Sequence, residues 1–318
     1  MTVQGQIPIA AVVGPTASGK TGLAVALAKK LGGEVVSADS MQIYQGMDIG
    51  TAKPTAEEMG GVPHHLMGFV DPCQAFSVAQ YLPLARQCVS DIHARGHLPI
   101  VAGGTGLYVS ALLGNLQFEQ EQQDDGLRRH LEQRMEQEGA QALLNELASF
   151  DPQTAARLHP NNKGRIIRAI EVYRRTGITM TEHLVRSRAQ PSPYRAGVIG
   201  LNFRNRQELY RRIDARVDDM MQRGLAQEAA AVLSGSCGKT AGNAIGYKEL
   251  APWMEGRCTL EEAVAQIKQS TRRYAKRQLT WFRRMEQVRW IYVDECSSPE
   301  DMLRQAIAFL RQDGVIAG

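Results

Sequence analysis

Near its amino terminus the chain reads Gly14-Pro15-Thr16-Ala17-Ser18-Gly19-Lys20-Thr21. This octapeptide fits the phosphate-loop pattern G-x-x-x-x-G-K-[ST] at every fixed position. An apolar run typical of a buried strand precedes it at residues 7–13, and a helical pattern follows it at residues 22–31. Because strand, turn and helix stand in the required order, we predict that backbone N–H groups of the turn enclose an anion.

The two side chains that end this motif have chemical roles of their own. Lys20 is expected to place a positive charge on the terminal phosphate oxygens, and the Thr21 hydroxyl to ligate Mg²⁺. A nucleotide-hydrolysing enzyme or a small-molecule kinase is the first class to consider. However, the N-K-x-D motif with which GTPases read their base does not occur, and no apolar strand ends in a clear second magnesium ligand. The motif therefore indicates a phosphorylated ligand without specifying which one.

Strand and helix patterns alternate through most of the chain. Further strands are predicted at residues 34–38, 98–102, 198–203 and 289–293, with helices between them, which is typical of a parallel sheet covered on both faces. Residues 117–196 interrupt this alternation with charged, helical sequence. We predict an α/β protein with a P-loop NTPase-like parallel sheet core formed by residues 1–116 and 197–318, and a helical insertion domain at 117–196.

Composition excludes several classes of protein. With 318 residues, 43% of them hydrophobic and 22% charged, the chain is typical of a globular protein of about two domains. Its longest early apolar run is too short to span a bilayer, and no secretory signal is recognisable. The five scattered cysteines predict neither a disulfide framework nor a zinc site, so we expect small buried thiols in the reducing cytoplasm.

The net charge of +4 is modest, but the basic residues are unevenly distributed. Eight of them lie between Gln266 and Arg289 against one acid, Glu286, on a helix that begins after Thr259 and is expected to reach Arg289. A second basic cluster occupies residues 163–175. Such clusters indicate a surface for a nucleic-acid backbone, although a solvated helix face would have the same composition.

Polar residues that follow the predicted strands are further candidates, because ligands bind at the carboxyl ends of parallel strands. Asp39 follows the second strand and could be a general base, a metal ligand or a helix cap. Thr105 follows the third and could be an ordinary turn residue. Arg212 and Arg216 lie four residues apart and should share one helix face, where they would clamp a phosphate or pair with neighbouring acids.

Taken together, these residues resemble a known family, the bacterial tRNA dimethylallyltransferases (isopentenylpyrophosphate transferases). The resemblance covers essentially the whole chain and depends on several blocks besides the phosphate loop. These blocks are Ser37-Ala-Asp-Ser40, Gln42-Ile-Tyr44, Met47-Asp-Ile-Gly-Thr-Ala-Lys-Pro54, Pro63-His-His65, Gly103-Gly-Thr105, Asp151-Pro152, His159-Pro-Asn161, Gly246-Tyr247 and Lys276-Arg-Gln-Leu-Thr-Trp-Phe-Arg283.

The resemblance implies transfer of a dimethylallyl group from dimethylallyl diphosphate to N6 of adenosine 37 in tRNA. Gly14–Thr21 would then hold the donor diphosphate, including Thr16 and Ser18, and Lys20, Thr21 and Arg216 would act on the leaving group with Mg²⁺. Asp39 would take the proton from the adenine amine, and Thr105 would orient the base. A kinase or other nucleotide-hydrolysing enzyme, and a non-catalytic RNA-binding module, remain as alternatives.

The family pattern also implies how tRNA is bound. Asp39, Ser40, Met41 and Gln42 would read the flipped adenine and its neighbour. Contacts to the anticodon stem-loop are implied for Arg128, Arg165, Arg168, Lys276, Arg277, Gln278 and Arg283. The chain departs from some relatives at residues 117–125, where acidic residues and glutamines replace a proline-containing stretch. His64 and His65 are interpreted as structural, and we expect a monomer.

Overall fold

A computed structural model describes residues 5–118, 125–187, 190–235 and 238–317. The chain divides into two compact units. The first contains Met1–Leu113 and Ser192–Gly318, and the second contains Gly114–Pro191. The second unit is thus an insertion into the first.

The first unit is built on a six-stranded sheet with the order β3-β2-β4-β1-β5-β6, in which every pair of neighbours is parallel. The strands are β1 (Ile7–Val13), β2 (Gly33–Ser37), β3 (His64–His65), β4 (Leu98–Gly103), β5 (Tyr194–Asn202) and β6 (Val288–Tyr292). Because all strands run the same way, the loops after β1, β2 and β4 lie at one edge of the sheet. This arrangement brings Gly14, Asp39 and Thr105 to that edge.

Helices cover this sheet. Those before the insertion are α1 (Lys20–Leu31), α2 (Ala56–Met59), α3 (Val78–Ala94) and α4 (Gly106–Leu113). Those after it are α10 (Arg206–Gln222), α11 (Leu225–Ser234), α12 (Lys239–Gly242), α13 (Tyr247–Met254), α14 (Leu260–Phe282) and α15 (Pro299–Gln312). Ile9 to Val13 of β1 are all fully buried, and since side chains alternate along a strand, both faces of the sheet are covered. The predicted α/β fold is confirmed.

The second unit is helical in all of its described elements. They are α5 (Asp125–Gln137), α6 (Ala140–Phe150), α7 (Pro152–Ala156), α8 (Lys163–Thr176) and α9 (Met180–Ser187). Its apolar core is formed by side chains that include Leu131, Leu147 and Ile170. The buried Asp151 carboxylate accepts hydrogen bonds from the Thr154 N–H (3.0 Å) and the Thr181 hydroxyl (2.6 Å), so it fastens the start of α7 to α9.

Three predicted element boundaries were wrong. Strand β5 begins at Tyr194 instead of Val198, because β1 pairs with it along the whole of Ile7–Val13. Helix α14 ends at Phe282 and does not reach Arg289, because the chain must return to the sheet, where Arg289 lies on β6 opposite Ile199. Helix α1 begins at Lys20 instead of Gly22.

Candidate active site

The phosphate loop turns tightly between β1 and α1. Gly14 has a φ of 144°, and a Cβ there would lie 2.6 Å from the Leu201 carbonyl oxygen, so only glycine fits. Ala17 adopts a φ of 61°, a left-handed conformation that is strained for a residue with a Cβ. The first turn of α1 receives no hydrogen bond from its capping residue, Gly19, which has no side chain to give one. The N–H groups of this turn are therefore available to an anion.

Two cations lie close together beside this loop. The Lys20 ammonium donates to the Pro15 carbonyl oxygen at 2.6 Å. Burial, helped by the nearby Arg216 guanidinium and opposed by Asp39, lowers the pKa of Lys20 to about 7. Burial also lowers the pKa of Arg216 on α10. Because two neighbouring cations in a cavity wall repel each other, the pair favours an anion at this position.

A cavity of about 330 Å³ opens from the phosphate loop. Its charged and polar walls include Lys20, Thr21, Asp39, Arg216 and Arg277. Apolar side chains line it as well, among them Ala24, Val35, Met67, Ile213, Val217, Met220, Leu225, Ile245 and Ile267. The cavity thus offers cations for phosphate oxygens together with apolar surface for a short hydrocarbon chain.

Asp39 lies at the start of a turn, not of a helix, so its interpretation as a helix cap is wrong. Its Oδ1 accepts hydrogen bonds from the Met41 N–H (2.9 Å) and the Gln42 N–H (3.4 Å). Within the described residues its other oxygen, Oδ2, accepts no hydrogen bond. The carboxylate is therefore held by one oxygen in the cavity wall, near Lys20, while the second can accept a proton from a ligand.

Thr105 is a positioning residue in this structure and is not part of the cavity lining. Its hydroxyl oxygen accepts a hydrogen bond from the Ser40 N–H at 2.9 Å and donates to the Ser40 hydroxyl at 3.2 Å. Thr105 thereby fixes the residue that follows Asp39.

Gln278, which was predicted to contact tRNA, is buried and lies in the wall of the cavity. Its side chain is 5% exposed, its Oε1 accepts from the Thr16 N–H (2.9 Å), and its Nε2 donates to the Gly104 carbonyl (3.0 Å). The amide ties α14 to the phosphate loop and to the loop after β4. Sequence reasoning missed this contact because 262 residues separate Gln278 from Thr16.

Ser40, Met41 and Gln42 all line the cavity, as Asp39 does. The Gln42 side chain also has a structural role. Its Nε2 donates to the carbonyl oxygens of Thr51 (3.4 Å) and Ala52 (3.1 Å), which connects the Asp39 turn to the Gly50–Pro54 block of the sequence motif. Tyr274, which the sequence analysis did not single out, also lines the cavity one helical turn before Arg277.

The basic residues of α14 and of its C-terminal cap, Arg283, include two contrasting sets. Lys268 and Arg272 form ion pairs with Asp218 (2.6 Å) and Asp214 (2.7 Å) of α10. By contrast, Lys276 and Arg283 are exposed and form no ion pair with any described residue. Arg277 is exposed too, and its guanidinium carbon lies 5.5 Å from the centre of the Tyr274 ring.

The predicted pairing of Arg212 and Arg216 does not occur. Arg216 enters the cavity, whereas the exposed Arg212 lies 5.4 Å from the centre of the Phe203 ring. The acids thought to neutralise them, Asp214 and Asp218, are engaged by α14 instead. A four-residue spacing places two side chains about 40° apart around a helix, which suffices to separate them at the edge of a cavity.

In the second unit, the basic candidates lie on α5 and α8. Arg128 forms ion pairs with Glu132 (3.2 Å) and Glu171 (3.3 Å), and Arg168 lies 3.9 Å from the same Glu171. Arg165 is exposed. Arg128 and Arg168 thus share one acid, Glu171, and the side chains of Arg128, Arg165 and Arg168 all reach solvent.

The residues around the phosphate loop fit Mg²⁺ bound mainly through a ligand. Thr21 and Asp39 both line the cavity, and no group of three or more histidine, cysteine or acidic side chains among the described residues could hold a metal by itself. Mg²⁺ commonly takes one or two protein oxygens together with substrate phosphates and water. The Thr21 hydroxyl and a diphosphate would form such a set.

His65, as expected, has a structural role. Its Nε2 lies 2.7 Å from the buried Glu34 carboxylate, which also accepts from Arg95 and lies 2.7 Å from His97 Nδ1. Burial alone would raise the pKa of Glu34, but these hydrogen bonds outweigh it and lower the pKa to about 2. His64 lies in the cavity wall, and its Nδ1 is 2.8 Å from the Val62 carbonyl oxygen.

The four described cysteines form no disulfide with one another, and they are not the buried residues that were expected. Cys73 is exposed, and Cys88, Cys258 and Cys296 are partly exposed. Cys237 lies outside the described residues.

Comparison with known proteins identifies the family. A profile of the IPP transferase family matches residues 42–285, and one described as isopentenyl transferase matches residues 7–66. A tRNA dimethylallyltransferase from Geobacillus kaustophilus is 51% identical over 283 residues, which are 89% of each chain. The chain belongs to the tRNA dimethylallyltransferase family. Its predicted enzyme class, a prenyltransferase, is thereby confirmed, and the predicted reaction, transfer of a dimethylallyl group to tRNA, is the one for which the family is named.

Solved structures of family members share the fold. The tRNA isopentenylpyrophosphate transferase from Bacillus halodurans superposes with a TM-score of 0.71 at 44% identity, covering 96% of this chain and 97% of that one. A eukaryotic dimethylallyltransferase described as acting on tRNA has a TM-score of 0.80 at 30% identity, covering 94% of this chain and 77% of that one. Among the described helices, none combines the length and the apolar character that crossing a bilayer would require.

Proposed function

We propose that this family member transfers the dimethylallyl group of dimethylallyl diphosphate to N6 of adenosine 37, beside the tRNA anticodon, and releases diphosphate. The observation that carries this proposal is a single cavity that combines the phosphate loop, the cations Lys20 and Arg216, an apolar wall and the Asp39 carboxylate. A kinase would need a phosphate loop too, but an apolar wall beside it suits a hydrocarbon better than a sugar and base.

The donor diphosphate would lie against the backbone N–H groups of Gly14–Thr21, with Lys20 and Arg216 on its oxygens. Negative charge grows on the diphosphate as the allylic C–O bond breaks. Fixed cations in a buried site stabilise that charge strongly, since they need not reorganise. Mg²⁺, held by Thr21 and the diphosphate, would supply further charge neutralisation when bound.

The acceptor amine is a weak nucleophile, because its lone pair is delocalised into the adenine ring. As the new C–N bond forms, the amine must lose a proton, and we assign its removal to Asp39. The free Oδ2 and the position of Asp39 in the cavity wall support this role. The adenine must leave its stack to reach the cavity, at a cost of a few kcal/mol that is lowest in a single-stranded loop.

The tRNA would be held by exposed cations. In the first unit these are Lys276, Arg277 and Arg283, and in the second unit Arg128, Arg165 and Arg168. We expect the protein to act as a monomer. The free thiols agree with an enzyme that works in the cytoplasm, where tRNA is found.

The test is an assay with purified protein, dimethylallyl diphosphate, Mg²⁺ and unmodified tRNA, with and without ATP. We expect prenyl transfer that does not require ATP. ATP hydrolysis with no modification of tRNA would support a nucleotide-hydrolysing enzyme instead. The Lys20→Ala and Asp39→Ala variants test the third alternative, because a non-catalytic RNA-binding module would lose nothing measurable in either.

A further inference from the structure

Both carboxylate oxygens of Glu228 on α11 accept hydrogen bonds from residues beside the cavity. Its Oε2 accepts from the N–H groups of Asp48 and Ile49, and its Oε1 from the N–H of Gly50, all at 2.8 Å. The Tyr247 hydroxyl donates to Oε1 at 2.7 Å. Three consecutive backbone N–H groups converging on one carboxylate fix the conformation of the turn that carries them.

The turn held by Glu228 leads directly into the cavity wall. Gly50, Thr51, Ala52 and Pro54 all line the cavity. Gly50 also packs against the ring of Tyr247, where an added Cβ would lie 2.6 Å from a ring carbon. Glu228 and Tyr247 therefore hold this wall from outside, Glu228 through hydrogen bonds to backbone N–H groups and Tyr247 through the contact of its ring with Gly50.

From this wall, a short chain of hydrogen bonds reaches Asp39. The carbonyl oxygens of Thr51 and Ala52 accept from Gln42 Nε2, and the Gln42 Oε1 accepts from the Ser37 hydroxyl at 3.1 Å. The backbone N–H of Gln42, in turn, is one of the two that hold Asp39 Oδ1. Displacing residues 48–52 would therefore move Gln42 and release one side of the Asp39 carboxylate.

We propose that Glu228 is a positioning residue for prenyl transfer, which acts by fixing residues 48–52 and, through Gln42, the Asp39 carboxylate. This inference rests on the proposed function, since it takes Asp39 as the base. It predicts that Glu228 affects the chemical step and not donor binding, because the phosphate loop and Lys20 are not part of this chain of contacts.

The test is a double-mutant cycle between Glu228→Gln and Asp39→Ala. A glutamine has the same shape but replaces one acceptor oxygen with an NH₂ donor, which opposes at least one backbone N–H. The rate of prenyl transfer is measured in single turnovers at saturating donor and tRNA, with donor affinity measured separately. Glu261→Gln, an exposed change at the start of α14, is the matched control and should behave as wild type.

We expect Glu228→Gln to slow transfer by roughly ten- to a hundredfold, the scale of a misplaced catalytic group, and to leave donor affinity within about twofold. Combined with Asp39→Ala, it should slow transfer no further, because the group it positions is already gone. Independent, multiplying losses would overturn the proposal, and so would a wild-type rate in Glu228→Gln. If a thermal melt shows that Glu228→Gln does not fold, Tyr247→Phe replaces it. This variant keeps the Glu228 carboxylate and should slow transfer less than Glu228→Gln. Combined with Asp39→Ala, it should likewise cause no further loss of rate.

These outcomes separate the inference from the proposed function. If wild-type protein does not prenylate tRNA, or if Asp39→Ala alone leaves the rate unchanged, the proposed function fails. If Asp39→Ala slows transfer and neither Glu228→Gln nor Tyr247→Phe does, only the role of Glu228 fails.

Discussion

Two sets of cations in this protein are built from the same residue types in opposite surroundings. Lys20 and Arg216 lie inside a cavity, where burial lowers the pKa of each. Lys276 and Arg283 stand exposed on the outside of the same unit. Electrostatic interactions are strong and local where water is excluded, but weak and screened by salt at the surface. The inner set, Lys20 and Arg216, is thus suited to chemistry on one small anion. The outer set, Lys276 and Arg283, is suited to holding a large polyanion.

The largest effect should come from the inner set. Lys20→Ala is expected to lower kcat/KM for the donor by about 10³-fold, since it removes a fixed cation from the leaving group. Affinity for tRNA, measured by filter binding, should stay within about twofold of wild type. Lys30→Ala, an exposed change near the end of the same helix, is the control. If Lys20→Ala instead lost affinity for tRNA and kept normal donor kinetics, Lys20 would be assigned to tRNA binding and not to the donor.

Asp39 is the acid that lies with the inner cations, and its removal should have the next largest effect. We expect Asp39→Ala to slow the chemical step by about 10²-fold, the usual contribution of a positioned base. Asp39→Asn keeps an acceptor for the Met41 and Gln42 N–H groups and should be nearly as slow, because it cannot take a proton. Rapid-quench kinetics measures both variants. Equal losses in tRNA binding and in rate would indicate a recognition role for Asp39.

Proton uptake distinguishes the buried cations from the exposed ones. Below pH 7 Lys20 is protonated in the free protein, and above pH 7 it is increasingly neutral, since its pKa is about 7. A bound diphosphate favours the protonated form, so donor binding should take up a proton and weaken by up to about tenfold for each pH unit above 7. Calorimetry in two buffers of different ionisation enthalpy measures this uptake. A pH-independent affinity between pH 7 and 9, or a dependence that survives in Lys20→Met, would contradict the prediction.

The smallest effects should come from the outer set. Lys276→Ala and Arg283→Ala are each expected to weaken tRNA binding a few-fold and to lower the slope of log affinity against log salt by roughly 0.7–0.9. Arg272→Ala is the matched control on α14, because Arg272 pairs with Asp214 of α10 and is therefore expected to stabilise the fold instead of binding tRNA. It should lower the melting temperature and leave the salt slope unchanged. Equal slope changes in all three variants would mean that α14 is one continuous binding face.

The sequence predicted what depends on local order along the chain. The phosphate loop, the alternation of strands and helices and the position of Asp39 after β2 are encoded in adjacent residues, and all were found where expected. The parallel sheet then brought Asp39 to the edge that also carries Gly14, as the rule for strand ends requires.

The contacts that were missed join distant parts of the chain. Gln278 holds the phosphate loop, and Asp214 pairs with Arg272, across separations of 262 and 58 residues. No local pattern distinguishes Gln278 from a surface glutamine, or Arg272 from an RNA-binding arginine. Such assignments need the packing of α14 against α10 and against the loops after β1 and β4, which only the tertiary structure supplies.

The most direct test of this account is to map the product on an unmodified anticodon stem-loop incubated with dimethylallyl diphosphate and Mg²⁺ and without nucleotide. Nuclease digestion and tandem mass spectrometry would locate the added group. We predict one isopentenyl group on N6 of adenosine 37, formed by the wild-type protein and, after the same short incubation, not detected with Asp39→Ala. An unmodified stem-loop, or a prenyl group on another nucleotide, would contradict the account.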